Sequence, residues 1–446
     1  MREMKESGIP WIGKIAKDVS IYTLKYGTYM KGRIGWQGLK SSDFINEGPF
    51  CVTSTDFRNG RINWDTCYHV SEKRYDMDPY IQIQKGDLLI SKDGTIGKLA
   101  LVDNLPDKAC LNSHLLIIRP LNHNLNVKYL YYVLDSPIFT KYYSIVGSGS
   151  TMQSLSQEKL GNFKLPMWEI NQQQAITNYL DAKCADIDTL QQDLQSEIET
   201  LQAYKKSLIT RAVTQGLDSH VEMKNSGVKW IGKIPKKWKV ERLKYLYDKK
   251  FGDAVRVGPF GNTLKTQDFC DSGPWIYSQR TVLDNNFTDN TLHVTKQKAN
   301  QLASFRVQPH DILITTRGTI GKIAIVPENA PEGILHPCLI RFRVHGINQF
   351  FLRYIFNETD ITMEQIISKS LGTTIPVIYS YNLKNILLPI PSLNEQNSIV
   401  KYLDSKCSEI DSIIASKQKQ SEILSDYKKS LIYEVVTGKK EVPVHE

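Results

Sequence analysis

Two stretches of the chain carry a long pattern of apolar positions at helical spacing. The first runs from Asn171 to Val213 and the second from Asn394 to Val436, and neither contains a proline. Apolar positions that alternate three and four residues apart are typical of coiled coils. The pattern therefore predicts two long helices, each with an asparagine as its N-cap and with Gly216 or Gly438 as its stop.

The same spacing predicts where the two helices touch. An antiparallel pairing would place Glu197 against Gln420 at a polar centre and would leave Lys417 beside Leu201. A pairing with helices of another subunit is the alternative. The predicted apolar interface consists of Ile187, Leu190, Leu194, Leu201, Tyr204 and Leu208 in the first helix and Ile410, Ile413, Leu424, Tyr427 and Leu431 in the second.

Outside these stretches, short apolar runs predict strands. In each half of the chain, two such runs flank a glycine-containing turn, which indicates a β-hairpin. A further strand and a helix follow each hairpin. The predicted hairpin strands are 87–91 with 99–102 and 312–315 with 323–326, the following strands are 115–119 and 339–343, and the helices are 127–143 and 349–367.

The two halves of the chain repeat one another. Five blocks recur in the same order at offsets of 219 to 225 residues, so the molecule consists of two copies of one unit. The segments between the blocks differ strongly, for example 57–80 from 280–305. The paired blocks are Ser7–Ile15 with Ser226–Ile234, Leu39–Phe44 with Leu264–Phe269, Asp87–Lys98 with Asp311–Lys322, Tyr179–Cys184 with Tyr402–Cys407, and Tyr204–Ile209 with Tyr427–Ile432.

This repeat predicts an α+β fold. Two globular, mixed α/β domains, here called the first and second heads, are joined by two long helices that pack as an antiparallel coiled coil with pseudo-two-fold symmetry. The predicted boundaries are 1–168 for the first head, 169–216 for the first helix, 217–391 for the second head, and 392–446 for the second helix with a short tail.

Composition narrows the function classes only partly. The net charge of +9 and the pI near 8.9 fit a nucleic-acid partner but do not require one. No apolar run is long enough for a membrane span, and the first residues do not resemble a secretory signal. The seven cysteines form no Cys-x-x-Cys pair, which argues against a disulfide framework or a structural metal site. We therefore expect a cytoplasmic protein without a bound metal.

The duplicated Trp-Ile-Gly and Gly-Thr-Ile-Gly-Lys blocks, and the two helices that end in Lys-Lys-Ser-Leu-Ile, resemble a type I restriction-modification specificity subunit. This resemblance covers essentially the whole chain. It implies that each head is a target-recognition domain for one half of a split, asymmetric DNA site, and that the helices dock two methyltransferase subunits. It also implies that restriction/translocase subunits join the complex. The specificity subunit of this family holds no active site, so S-adenosylmethionine, ATP and Mg²⁺ are expected on the partner subunits.

The two Gly-Thr-Ile-Gly-Lys turns are candidate phosphate contacts. They do not fit a P-loop, because only two residues separate the glycines and no Ser or Thr follows the lysine. The alternatives are a purely structural turn and a tip that also meets the DNA backbone. The candidates at the tips are Lys92, Thr95, Lys98, Arg317, Thr319 and Lys322; those in matching small polar loops are Ser148, Ser150, Thr151, Thr373 and Thr374; and Lys40 and Lys265 are further phosphate-contact candidates.

Residues that read bases must lie where the halves differ, because the two heads should recognise different sequences. Arginine binds guanine bidentately, and Asn or Gln binds adenine. Solvated loops are the alternative for each residue. The candidates are Ser54, Thr55, Arg58, Asn59, Gln279 and Arg280.

Catalytic motifs are missing from the sequence. Asp78-Pro79-Tyr80 resembles the Asp-Pro-Pro-Tyr box of adenine methyltransferases but lacks its second proline, and no glycine-rich S-adenosylmethionine loop accompanies it. Asp87 matches Asp311 as a residue at the start of a strand rather than as part of a nuclease site. A non-catalytic DNA-specificity subunit is therefore the leading hypothesis. The rivals are a self-sufficient methyltransferase or nuclease, and a coiled-coil scaffold with two unrelated binding heads.

Overall fold

The computed structural model describes residues 2–33, 39–147, 154–248, 250, 254–260, 263–289, 292–368 and 377–442. It divides into two compact units. The first unit comprises Met1–Gln195 with Gln418–Glu446, and the second comprises Ser196–Lys417. Each unit therefore contains one head and a part of both long helices.

Two sheets of more than two strands form the centre of the first head, and three two-stranded sheets accompany them. In the larger one, the predicted hairpin Leu88–Ser91 with Leu99–Leu101 is present, and Leu115–Pro120 joins it to Thr28–Gly32, all antiparallel. In the smaller one, Phe44–Val52 lies between Ala109–Leu111, which is parallel to it, and Tyr68–Val70, which is antiparallel. The remaining strands are Met4–Glu6, Lys14–Ala16, Ser20–Thr23, Phe57–Arg58, Arg61–Ile62 and Lys164–Met167, and the short helices are Glu72–Asp76, Val127–Asp135, Pro137–Val146 and Gln157–Gly161.

The second head repeats this arrangement. Its hairpin Ile312–Thr315 with Ile323–Ile325 joins Leu339–Phe342 and Val255–Val257, and a second sheet contains the parallel pair Phe269–Tyr277 and Gly333–Leu335. The hairpin predictions are thus confirmed in both halves. The other strands are Met223–Asn225, Lys233–Pro235, Lys239–Arg242, His293–Val294, Arg306–Val307 and Leu387–Ile390, and the short helices are Gln279–Leu283, Lys296–Gln301, Gln349–Glu358, Ile361–Ile367 and Ser380–Lys384.

The single helix predicted after each hairpin is wrong, because each is broken into two. In the first head, Val127–Asp135 and Pro137–Val146 meet at Ser136, which lies in extended backbone directly before the proline. Proline sterically disfavours the helical conformation of the residue that precedes it, and this accounts for the break at Ser136. In the second head the break falls at Thr359, which is also extended.

Both long helices are present, as Ile170–Gln215 and Leu393–Thr437. The predicted asparagine N-caps are wrong, because Asn171 and Asn394 lie inside the helices. In the second helix Ser392 precedes the first turn instead, and its hydroxyl accepts a hydrogen bond from the Glu395 amide at 3.4 Å. Gly216 and Gly438 end the helices as predicted, each with φ of +78°.

The helices pack antiparallel within each unit. In the first unit Lys428 donates to both carboxylate oxygens of Asp188 at 2.6 and 2.8 Å. In the second unit Lys205 makes the equivalent pair with Asp411, at 2.7 Å to each oxygen. The two pairs are related by the repeat, since each joins a lysine of one copy of the Tyr-Lys-Lys block to an aspartate of the other copy.

The predicted interface is correct at every seventh position and wrong at the positions between. Ile187, Leu194, Leu201 and Leu208, with Ile410, Leu424 and Leu431, are buried or half-buried. Leu190, Tyr204, Ile413 and Tyr427 are 41–57% exposed. The next residue along the chain takes the place of each, namely Gln191, Lys205, Ile414 and Lys428. In the same way Ile198 and Ser421 lie in the seam next to Glu197 and Gln420.

The predicted and observed seams agree at every seventh residue because two heptad registers have those residues in common and differ only at the positions between them. The alternate register places the apolar Ile198 and Ile414 in the seam, where they pack in one cluster. Its lysines are satisfied by carboxylates of the facing helix, so their partial burial costs little. At the polar centre Lys417 forms an ion pair with Glu197, a contact that the prediction did not include.

Candidate DNA interface

The tip of the hairpin in the first head is shaped by hydrogen bonds to Ser91. The Ser91 hydroxyl donates to the Thr95 carbonyl at 2.5 Å and accepts from the Lys98 amide at 2.9 Å. Gly94 and Gly97 adopt φ of +68° and +86°, which glycine tolerates best. The side chains of Thr95 and Lys98 are exposed on this rigid turn.

The second head forms a similar tip. The Thr315 hydroxyl accepts from the Lys322 amide at 3.1 Å, and Arg317 and Thr319 are exposed. However, the Lys322 ammonium donates to the Asn357 carbonyl at 2.5 Å, near the end of helix Gln349–Glu358. Cations are favourable at helix C-termini. The structure therefore gives Lys322 a packing contact, which differs from its predicted place at the DNA backbone.

Backbone hydrogen bonds gather three loops at one end of the first head. The Asn112 amide donates to the Val52 carbonyl at 3.0 Å, which ties the loop after Ala109–Leu111 to the end of Phe44–Val52. The Lys92 amide donates to the His114 carbonyl at 2.9 Å, which ties the hairpin to the same loop. Ser54 and Thr55 directly follow Phe44–Val52, so they lie at this end as well.

The second head gathers the equivalent loops. The His336 amide donates to the Tyr277 carbonyl at 3.1 Å, and the Thr316 amide donates to the Cys338 carbonyl at 3.0 Å. Gln279, which follows strand Phe269–Tyr277, donates its side-chain amide to the Thr319 carbonyl at 3.4 Å. A predicted base reader and a predicted phosphate contact of this head are thus neighbours.

Sequence reasoning missed a charged cluster in the loops of the first head. A carboxylate oxygen of Asp93 lies 3.3 Å from His114 Nδ1 and 4.0 Å from Lys92 Nζ. Lys92 is half-buried and lies beside a carboxylate. Comparison of the two repeats could have revealed this cluster, because Asp93 and Arg317 occupy equivalent positions and have opposite charges.

Two further side chains support these loops and were also missed. The guanidinium of Arg33 is buried, and its Nε donates to the Leu111 carbonyl at 3.0 Å. In the second head, burial lowers the pKa of His336 and so favours its neutral form. The His336 Nδ1 accepts from the Cys338 amide at 3.1 Å, a role that requires that nitrogen to be unprotonated.

Other predicted residues lie apart from this end or turn back on themselves. Arg58 donates to the Thr55 and Phe57 carbonyls of its own loop at 2.9 and 3.0 Å. Asn59 forms the turn of the small hairpin Phe57–Arg58 with Arg61–Ile62, in a cleft lined also by Asp181 and Tyr132.

The remaining predicted residues have the following positions. Lys40 and Lys265 are exposed at the start of matching turns, and their amides donate to Asp43 and Asp268 at 2.7 and 2.8 Å. Arg280 is exposed and donates to Asp284 at 3.2 Å. The small polar loop candidates Ser148, Ser150, Thr151, Thr373 and Thr374 lie outside the described residues.

One buried carboxylate in each head is paired with an arginine. Asp87 is fully buried and receives Arg119 Nε and Nη2 at 2.6 and 2.8 Å, and Asp311 is paired with Arg343 in the same way. Within the described residues no group of three or more His, Cys, Asp or Glu side chains has the spacing of a metal site. Among those residues, too, no helix is long and apolar enough to cross a membrane.

Comparison with known proteins identifies the family. The family model described as type I restriction modification DNA specificity domain matches residues 37–200 and 235–425. The MjaVIII type I restriction enzyme specificity subunit of Methanocaldococcus jannaschii is 25% identical over 367 residues, which is 80% of each chain. The EcoBI specificity subunit of Escherichia coli is 23% identical over 339 residues, which is 73% of this chain and 68% of that one.

A solved structure has the same fold. It belongs to a study of complex assembly and conformational transition of the type I R-M system, and it covers 96% of this chain and 99% of its own with a TM-score of 0.70 at 14% identity. The family model matches the chain twice, once in each half, as the internal repeat requires. The chain therefore belongs to the family of type I restriction-modification specificity subunits, the non-catalytic DNA-recognition components of these systems.

Proposed function

We propose that this chain reads a split, asymmetric DNA site, with one half-site bound by each head. The observation that carries the proposal is the contrast between a repeated frame and unlike side chains. Both heads gather equivalent loops at one end, but Ser54 and Thr55 in the first correspond to Gln279 and Arg280 in the second. Heads with different side chains at equivalent places should select different bases.

The long helices are the proposed docking surface for two methyltransferase subunits. Leu190 and Tyr427 of the first unit, and Tyr204 and Ile413 of the second, are large apolar side chains that remain 41–57% exposed. Exposed apolar side chains on otherwise polar helices favour a protein partner. Restriction/translocase subunits would join this core.

The chemistry of the complex belongs to the partners in this proposal. The S-adenosylmethionine that methylates DNA, and the ATP and Mg²⁺ that drive translocation and cleavage, would be bound by the methyltransferase and restriction subunits. The chain itself would contribute recognition in the cytoplasm, where the DNA lies.

Methylome sequencing of the host with and without the gene tests the proposal directly. We expect one split motif to lose its methylation when the gene is deleted, with two dissimilar half-sites about one helical turn apart. A continuous or palindromic motif would contradict the two-head model.

Exchange of one head provides a second test. If residues 20–165 are replaced by those of a relative, we expect one half-site to change and the other to remain. Removal of whole turns from both long helices should alter the spacing between the half-sites and leave their sequences intact. The scaffold alternative instead predicts no DNA binding that weakens steeply with salt.

A further inference from the structure

The two heads share a hairpin frame but carry opposite charges at one position of it. Asp93 precedes Gly94 in the first head, and Arg317 precedes Gly318 in the second. The residues that follow are Gly-Thr-Ile-Gly-Lys in both, and Gly94 and Gly318 have almost the same φ, +68° and +65°. The two side chains therefore leave the same point of the same turn.

The carboxylate of Asp93 is held in place but keeps free acceptor capacity. Its side chain is 32% exposed, with His114 Nδ1 at 3.3 Å and Lys92 Nζ at 4.0 Å from one oxygen. A carboxylate offers about four lone-pair sites on its two oxygens. The neighbours use part of this capacity, so Asp93 is still able to accept a hydrogen bond from outside the protein.

The guanidinium of Arg317 is exposed and has no hydrogen bond or ion pair to any residue that the structure describes. The Gln279 side chain lies beside the same tip, since its amide reaches the Thr319 carbonyl. The second head thus presents free donors where the first presents an acceptor.

We propose that Asp93 and Arg317 are specificity-determining residues of the first and second heads. This assignment rests on the proposed function. Asp93 accepts a hydrogen bond from the 4-amino group of a cytosine, and Arg317 donates two hydrogen bonds to O6 and N7 of a guanine. Each contact discriminates against the wrong base by about five- to a hundred-fold.

The test uses the full-length chain isolated from its host with the partners that copurify. The complex is mixed with randomised DNA duplexes, and the bound duplexes are sequenced. The wild type should select a split motif with a required cytosine in one half-site and a required guanine in the other. Asp93→Asn should lose only the cytosine preference and Arg317→Gln only the guanine preference, each with a shift towards adenine, because amides pair with that base. Asp93→Glu should keep the cytosine.

Two matched variants make the same charge changes elsewhere in the heads. Asp107 is exposed beyond the start of strand Ala109–Leu111, whereas the loop of His114 follows the end of that strand. Arg242 is exposed at the end of strand Lys239–Arg242, away from the gathered loops. Asp107→Asn and Arg242→Gln should leave both half-sites unchanged.

Three results would overturn the assignment. An Asp93→Asn complex that still requires the cytosine excludes Asp93, and an unchanged guanine in Arg317→Gln excludes Arg317. A variant that alters both half-sites excludes independent reading. If the wild type selects no motif at all, the proposed function itself fails. Should Asp93→Asn not fold, as judged by thermal melting, Asp93→Ala takes its place, since it also removes the acceptor and should lose the cytosine requirement.

Discussion

Removal of the arginine that pairs with Asp87 should lower the stability of the first head and leave that of the second head unchanged. Asp87 is fully buried, while Arg119 is 25% exposed and contacts both carboxylate oxygens. One of those oxygens also accepts from the Gln84 amide at 2.7 Å. Arg119→Met leaves a charged carboxylate in the core with this single remaining partner.

The expected loss is about 3–5 kcal/mol, the usual cost of leaving a buried charge unpaired. Asp87→Asn should cost less, because its amide oxygen still accepts from Gln84 and Arg119 retains partial contact with water. The double variant should lose less stability than the sum of the two single ones, with a coupling of about 0.5–3 kcal/mol. Lys17→Met is the control, because Lys17 and Glu3 form a pair that is 64% and 73% exposed and should contribute less than about 1 kcal/mol.

Native-state hydrogen exchange measures the two heads separately. Protection of strands Leu88–Ser91 and Leu115–Pro120 should fall by roughly 10²- to 10⁴-fold in Arg119→Met, while Ile312–Thr315 of the second head should remain near wild type. If Arg119→Met loses no more protection than Lys17→Met, the ion pair does not stabilise the core. If both heads lose protection equally, the heads do not unfold independently.

Three further outcomes can be measured on single variants or conditions. Gly438→Ala should lower the free energy of unfolding, measured in urea, by more than about 2 kcal/mol. The reasons are that its added Cβ would lie 2.6 Å from the Cβ of Ala16 and that the residue has a φ of +78°. Gly8→Ala is the control: no heavy atom lies within 4 Å of its added Cβ, so its positive φ alone should cost about 1 kcal/mol. Leu190→Glu with Tyr427→Glu should weaken copurification of methyltransferase subunits but keep the helical circular-dichroism signal, since both side chains are exposed; unchanged copurification would remove this face as the docking surface. The affinity of the complex for DNA should fall with salt by about 0.9 logarithmic units per phosphate contact for each tenfold increase, and a flat dependence would contradict backbone binding.

Repetition made most of the fold predictable from the sequence. Two runs of apolar residues around a Gly-Thr-Ile-Gly-Lys turn recur in both halves, and both form hairpins. The long helices were predictable because their pattern persists over many turns without a proline. Their contact seam was predictable only in part, since Leu190 and Gln191 are both compatible with a three–four alternation from Ile187. The choice depends on ion pairs with the facing helix, which one helix alone does not show.

The candidate site was less predictable than the fold. Backbone hydrogen bonds gather the hairpin tips and the loops after Phe44–Val52 and Phe269–Tyr277 at one end of each head, and their contact with DNA stays a prediction. The hydrogen bond of Lys322 could not be predicted because its partner, the Asn357 carbonyl, lies 35 residues further along the chain. The contact of Asp93 with His114 was missed because the two residues are 21 positions apart in the sequence and meet only in the folded loops.

Each compact unit contains parts of both long helices, so a half of the sequence is not a self-contained product. In a chain that ends after Gly216, helix Ile170–Gln215 would lack the antiparallel helix against which it packs. A second copy of the same fragment would provide this helix, because Lys205 of one copy would form an ion pair with Asp188 of the other, as Lys428 does in the intact chain. A truncated gene would thus encode a homodimer with two identical heads, and under the proposed function its target should be a palindrome in place of an asymmetric sequence.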